Sequence, residues 1–200
     1  MSTNSIFPIA AIGIATVDND GNFLDASYTD IYPGVLKEHA FFSFLNEEKF
    51  DGQKAIVIDG KVFKELHHKK DYNSELASNK KYIAIYIKSD EGIETTECAY
   101  LKLHLLSKLI AKPNSLNLEG IFSALPNNAW TNQGPIKASE INERLTASIG
   151  TNNPLIVFSV DKFPKMTDYV VPNDVRIADA ARVRLGAHLA PGTTIMHEGF

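Results

Sequence analysis

Residues Val175–Phe200 read "VRIADAARVRLGAHLAPGTTIMHEGF", and the rhythm of this stretch decides the fold. With Ile177 placed first in a six-residue unit, Val183, Leu189 and Ile195 recur at the same position. Ala181, Ala187, Thr193 and Gly199 occupy the fifth position, and all are small. A weaker unit precedes them, with Val171 first and Val175 fifth. A period of six does not fit the turn of an α-helix. Gly186, Pro191 and Gly192 break any single long strand. A six-residue repeat of this kind is the mark of a parallel β-helix, in which each unit supplies a short strand and a corner. The aliphatic residue points into a narrow prism, and the small residue fits the corner. Arg182, Arg184, His188, His197 and Glu198 fall at the intervening positions and are expected to face outward, because the prism interior cannot solvate them.

The rest of the chain reads as two further regions. Residues 1–112 carry strand and helix signals of a small α/β domain. Ile9–Val17 is an apolar, β-rich run, and Asp20-Gly21 marks a hairpin into "FLDASYTDIY". "YPGVLKEHAFFSFL" suggests a turn into a short helix, and "KAIVIDGKVFKEL" two strands joined at Asp59-Gly60. "KYIAIYIKSD" is a strand. "ETTECAYLKLHLLSKLIAKP" is a helix capped by Thr95 or Thr96 and stopped at Pro113, with Ala99, Leu103, Leu106 and Ile110 on one face. Residues 113–170 form a structured connector around Trp130, irregular at first. A short helix closed by Gly150 and the strand "PLIVFSVDKFP" follow. Residues 171–200 hold the hexads.

Composition narrows the function. The 200 residues are 44% apolar and 22% charged, with a net charge of −4, which gives no reason to expect nucleic acid. No apolar run is long enough for a membrane-spanning helix. The single cysteine, Cys98, cannot form an internal disulfide and reads as a core thiol in a reducing compartment, so a cytoplasmic location is expected. The acidic turn after Asp18 lacks the glycine and glutamate that a calcium-binding loop needs, since Phe23 and Thr29 stand there. His67 and His68 have no third ligand nearby and read as a solvated loop, and His104 reads as a packing residue. No metal site is expected. No P-loop, GxSxG, CxxC or complete dinucleotide fingerprint appears.

The stretch "RVRLGAHLAPGTTIMHEGF" resembles the start of the β-helix domain of the tetrahydrodipicolinate N-succinyltransferase family, in its long form with an extra N-terminal α/β domain. "LNLEGIFSALPNNAWTNQGPI" and "VDKFPKMTDYVVP" resemble that family's connector. The specific likeness covers residues 115–200, and residues 1–112 share only a general similarity. The resemblance implies an α/β N-terminal domain followed by the beginning of a left-handed parallel β-helix. It also implies a homotrimer that transfers succinyl from succinyl-CoA to an amine derived from tetrahydrodipicolinate, on the path to diaminopimelate and lysine. No tightly bound cofactor is implied. Glu198, in "MHEGF", matches the family's catalytic glutamate and would act as general base or as nucleophile. On chemical grounds Arg182 or Arg184 could bind an acceptor carboxylate, with surface charges or trimer contacts as the alternative reading. His197 would support Glu198 or sit at a trimer interface.

A coil needs three hexads and a stable solenoid several coils. The repeat here stops short of two, with no cap after it. The chain is therefore expected to be the front part of a longer polypeptide and inactive alone, with the coenzyme-binding residues beyond residue 200. Three other readings stand beside this one. The first is a hexapeptide-repeat acyltransferase with another acceptor. The second is a zinc hydro-lyase using His188 and His197, and the third a non-catalytic trimeric scaffold. An HExxH protease is set aside, because that motif needs a helix.

Overall fold

The structure is a computed structural model that describes residues 6–34, 41, 43–44, 50–67 and 75–198. Strand β1, Ile9–Val17, carries no charged side chain. Such a strand must be covered on both faces. It lies inside a four-stranded antiparallel sheet of order β2-β1-β4-β3, formed with β2 (Phe23–Pro33), β3 (Ile56–Ile58) and β4 (Lys80–Ile87). Alternation sorts the side chains. Ile9, Ala11 and Ala15 join Ile83, Ile85 and Ile87 in one core cluster, while Ala10, Ile12 and Ala84 belong to another. Gly13 sits where β2 bulges, and a Cβ there would lie 2.3 Å from the Ser27 carbonyl oxygen, so only glycine fits.

The expected hairpin at Asp20-Gly21 forms. Asp18 fastens it, its carboxylate accepting from the backbone N–H of Asp20 and Asn22 and meeting Lys137 Nζ at 3.3 Å. The second Asp-Gly pair behaves differently. Asp59-Gly60 does not join two strands. Asp59 caps helix α1 (Gly60–Leu66), its Oδ1 accepting from Lys61 N and Val62 N at 2.8 and 2.9 Å. Aspartate suits both roles, and Phe63 and Leu66 at helical spacing decide between them by filling the second sheet face. His67 is also not solvated. It ends α1 with its ring buried against the Asp30 carboxylate. His68 and most of the helix expected after Pro33 lie outside the described residues.

The other sheet face carries helix α2, Thr96–Ser107, capped by Thr95 Oγ1, which accepts from Cys98 N. The sequence pattern suggested one apolar face, but every residue from Glu97 to Ser107 is buried. Ile110 lies beyond the helix, its N–H donating back to Leu105 O. Lys102 is enclosed too, and its ammonium is satisfied by Asp90 Oδ1 at 2.6 Å and by the Glu91 and Asn117 carbonyls. Cys98 is a core thiol as expected, and burial pushes its pKa up to about 12. No helix among the described residues is long and apolar enough to cross a membrane.

The connector is more regular than its Pro and Asn content suggests. After the short helix α3 (Ile121–Ala124), β5 (Asn128–Thr131) and β6 (Gly134–Lys137) form a hairpin. Helix α4 (Ile141–Ser148) and strand β7 (Val157–Asp161) follow where expected, and β7 completes the sheet β6-β5-β7. Trp130 is buried, its Nε1 donating to Asp161 O at 2.9 Å. One core cluster runs from the first sheet through α2 and Trp130 to Met166, Val183 and Leu185.

His104 sits in that cluster as a packing residue. Its Nδ1 is 2.7 Å from the Tyr100 carbonyl oxygen, and its Nε2 has no partner among the described residues. Burial lowers its pKa from 6.5 to about 4. As pH falls, the unfolded chain therefore takes up the proton first, and stability drops between about pH 6.5 and 4. This group alone should cost about 3 kcal/mol at pH 4 relative to pH 7. Urea unfolding at both pH values should show the loss reduced by that amount in His104→Leu. An identical pH dependence in the two proteins would contradict the assignment.

Candidate functional site

The hexads form a backbone ladder. Strand β8 (Arg176–Ile177) pairs in parallel with β9 (Thr194–Ile195), with Arg176 opposite Thr194 and Ile177 opposite Ile195, an offset of three six-residue units. Arg176 N donates to Thr193 O and Ala178 N to Ile195 O, both at 2.9 Å. Val183 is buried, and Ile177, Leu189 and Ile195 are half-buried against the main core. Val171 breaks the pattern. It is 77% exposed, whereas the left-handed Asp174 three residues on already bonds across, its carbonyl accepting from Gly192 N at 2.7 Å. The described residues hold this one ladder and no closed prism.

The ladder is seated on α2. The Ser107 hydroxyl accepts from Gly186 N at 2.8 Å and donates to Ala187 O at 3.1 Å. Gly186 has φ +101°, and a Cβ there would meet Leu103 Cδ2 at 2.5 Å. Beside this contact lies a largely apolar groove of about 700 Å³, lined by Leu103, Leu106, Phe122, Phe163 and Leu185 with Arg184 at its wall.

Of the four residues singled out from the sequence, three come together. A short 3₁₀ turn, Ala180–Arg182, is capped by Asp179 Oδ1, which accepts from Ala181 N. It presents Arg182, whose Nη1 donates to His197 O at 3.3 Å. His197 Nε2 stands 3.9 Å from Glu198 Oε1, and both side chains are exposed. Arg184 points elsewhere. Its Nε donates to Asp161 Oδ2 at 3.1 Å and its Nη1 to Ala181 O at 2.9 Å. His188 is half-buried rather than outward-facing, and its Nδ1 has no hydrogen-bond partner among the described residues. Those residues contain no group of three or more His, Cys, Asp or Glu placed to hold a metal ion. Chemically, the cluster offers a solvent-facing carboxylate that can take a proton, with a guanidinium fixed to the neighbouring backbone. Sequence reasoning missed Asp161 and Ser107, since neither belongs to the repeat and each finds its partner far along the chain.

Residues 8–123 match the N-terminal domain of tetrahydrodipicolinate N-succinyltransferase, and residues 125–165 match its middle region. Over 123 residues the chain is 56% identical to a 2,3,4,5-tetrahydropyridine-2,6-dicarboxylate N-succinyltransferase of Pseudomonas putida. That alignment covers 62% of this chain and 36% of the relative. An enzyme of the same name from Vibrio cholerae is 50% identical over 118 residues, covering 59% of this chain and 34% of the relative. The chain thus matches about a third of the length of these relatives. A crystal structure titled as a 2,3,4,5-tetrahydropyridine-2-carboxylate N-succinyltransferase from Campylobacter jejuni superposes with a TM-score of 0.72 at 25% identity. It covers 98% of this chain and 58% of that one.

The seat of the ladder on α2 is open to test. Gly186→Ala adds a methyl group against Leu103 at a backbone angle that alanine resists, and should cost about 2–4 kcal/mol. Leu103→Ala in the same chain should relieve the clash but not the backbone strain, so the double variant should lose less than the two single losses combined. Chemical denaturation measures all three, and additive losses would mean that the two side chains do not meet.

Proposed function

The chain belongs to the tetrahydrodipicolinate N-succinyltransferase family, and we propose that it contributes the catalytic carboxylate of a succinyl transfer from succinyl-CoA to the tetrahydrodipicolinate-derived amine. The ladder β8–β9 is, on this reading, the first coil of a left-handed parallel β-helix. The protein works as a cytoplasmic homotrimer, with sites in the grooves between adjacent prisms. The product is N-succinyl-2-amino-6-oxopimelate, on the route to diaminopimelate and lysine.

The reaction is an aminolysis. The acceptor nitrogen attacks the thioester carbonyl carbon, a C–N bond forms, the C–S bond breaks, and coenzyme A leaves as a thiolate that takes up, by way of the base, the proton the nitrogen sheds. The nitrogen must shed a proton in the process, and Glu198 receives it as general base. The Glu198 side chain is exposed, so its carboxylate is open to an incoming acceptor. Arg182 lies at the same end of the ladder and can offer a planar fork to one of the acceptor's two carboxylates. One observation carries most weight: the ladder that follows two family-matched regions draws Arg182 onto the His197–Glu198 backbone, so the candidate base and a candidate anchor share one corner.

Glu198→Gln keeps the shape and removes the base. With these residues joined to the remainder of a relative, release of free thiol from succinyl-CoA in the presence of tetrahydrodipicolinate should fall by about 10²–10⁴-fold. The melting temperature should not move, because the Glu198 side chain is 69% exposed. An unchanged rate would reduce Glu198 to a surface charge and favour a non-catalytic scaffold. Faster transfer to serine or an amino sugar than to tetrahydrodipicolinate would point to another acceptor.

A further inference from the structure

We infer that Arg184 is a positioning residue rather than a substrate ligand, and that Asp161 is its working partner: the two lock the turn from which Arg182 reaches the Glu198 segment. The inference rests on the reading of Glu198 as the base and adds the part that holds it in register.

The contacts form an unbroken path. Asp161 ends β7, where its carbonyl accepts from buried Trp130 and its Oδ1 meets Phe163 N at 3.4 Å, so its backbone is fixed on the core side. Its other oxygen, Oδ2, accepts from Arg184 Nε at 3.1 Å. Arg184 itself cannot drift, because the main chain on either side is pinned to the preceding segment. Met166 N donates to Val183 O at 2.9 Å, and Leu185 N to Pro164 O at 3.0 Å. From this anchored base the guanidinium extends Nη1 to Ala181 O at 2.9 Å, inside the Ala180–Arg182 turn. The next residue, Arg182, donates to His197 O at 3.3 Å, one residue before Glu198.

Two of Arg184's nitrogens are thus committed to holding a carboxylate and a carbonyl together, a task suited to a rigid planar fork and not to a single ammonium. Arg182 and Arg184 stand two apart and looked interchangeable as substrate ligands, but only Arg182 bonds the backbone next to Glu198. Loss of the Asp161–Arg184 pair frees the turn, and a displacement of Arg182 of about 1 Å is enough to impair a transfer that depends on alignment.

The test is a double-mutant cycle on the full chain with Asp161→Asn, Arg184→Gln and both together. In succinyl transfer, each single change should lower kcat by about tenfold while KM for succinyl-CoA stays within about twofold. The double variant should be no worse than the poorer single one, because both break the same link. Arg184→Lys should recover only part of the rate. If Arg184→Gln raises KM for the acceptor strongly while Asp161→Asn has no effect, Arg184 touches substrate directly and the inference fails.

A second readout needs no turnover. Amide hydrogen exchange at Arg176 and Ala178, which donate across the ladder, should speed up in both single variants to the same extent, with amides of β1 unchanged. Unchanged exchange at those two amides overturns the inference. The chain matches about a third of the length of its relatives, so the transfer assays are made with these 200 residues joined to the remainder of a relative. If that polypeptide shows no succinyl transfer, the functional reading fails, and the positioning role is then decided by exchange alone.

Discussion

Helix α2 has no face left for solvent, and the rest of the structure follows from that constraint. A helix enclosed on all sides needs a covering element for each face, and three parts of the chain supply them. The first sheet covers one side, with Tyr28 Oη donating to the Glu97 carbonyl at 2.9 Å. The connector covers another, with Thr96 Oγ1 donating to Ala124 O at 2.8 Å. The hexad ladder sits on the C-terminal end through the Ser107 hydroxyl. The burial of Lys102 is tolerable only because one carboxylate and two carbonyls converge on it, and those acceptors come from loops that must therefore hold their shape. One core then extends from the N-terminal strands to Val183 and Leu185.

The parts of the fold that were legible in the sequence are those with a local signal. The hexad spacing anticipated that Ile177 would return to Ile195, and the backbone pairs the two. Asp20-Gly21 between apolar runs anticipated the hairpin, and Thr95 the helix start. What was not legible depended on contacts made elsewhere. Asp59-Gly60 carries the same letters as the true hairpin, and only the need of the sheet's second face for Phe63 and Leu66 makes it a helix start. The pattern of α2 suggested one apolar face because Lys102 and Ser107 look like solvent residues, and their partners lie outside the helix. His67 looked solvated for the same reason, since its partner Asp30 belongs to a strand far upstream.

The candidate site divides along the same line. Glu198, Arg182 and His197 could be named from residue type, repeat position and resemblance, and they do lie together. Arg184 shares the chemistry of Arg182 and cannot be told apart from it in sequence. The separation is made by Asp161, which stands outside the repeat in a different sheet. Residue type therefore points to candidates, whereas the division of labour between neighbouring arginines is set by which of them finds a carboxylate in the fold.

The ladder does more than close a coil. Because each position in it lies beside the position three hexads later, the turn at Ala180–Arg182 and the segment at His197–Glu198 are brought to the same corner by backbone register. Register sets the corner, and the Asp161–Arg184 pair then holds the turn in it. An exposed carboxylate gains little from its neighbours in water, and an exposed ion pair would hold it only weakly. A parallel hydrogen-bonded ladder with its aliphatic side chains in the core is a far stiffer support, and Arg182 has only to fix the last carbonyl before Glu198. The repeat thus serves two ends at once: the aliphatic positions set the register, and the register aims a carboxylate that the core itself could never accommodate.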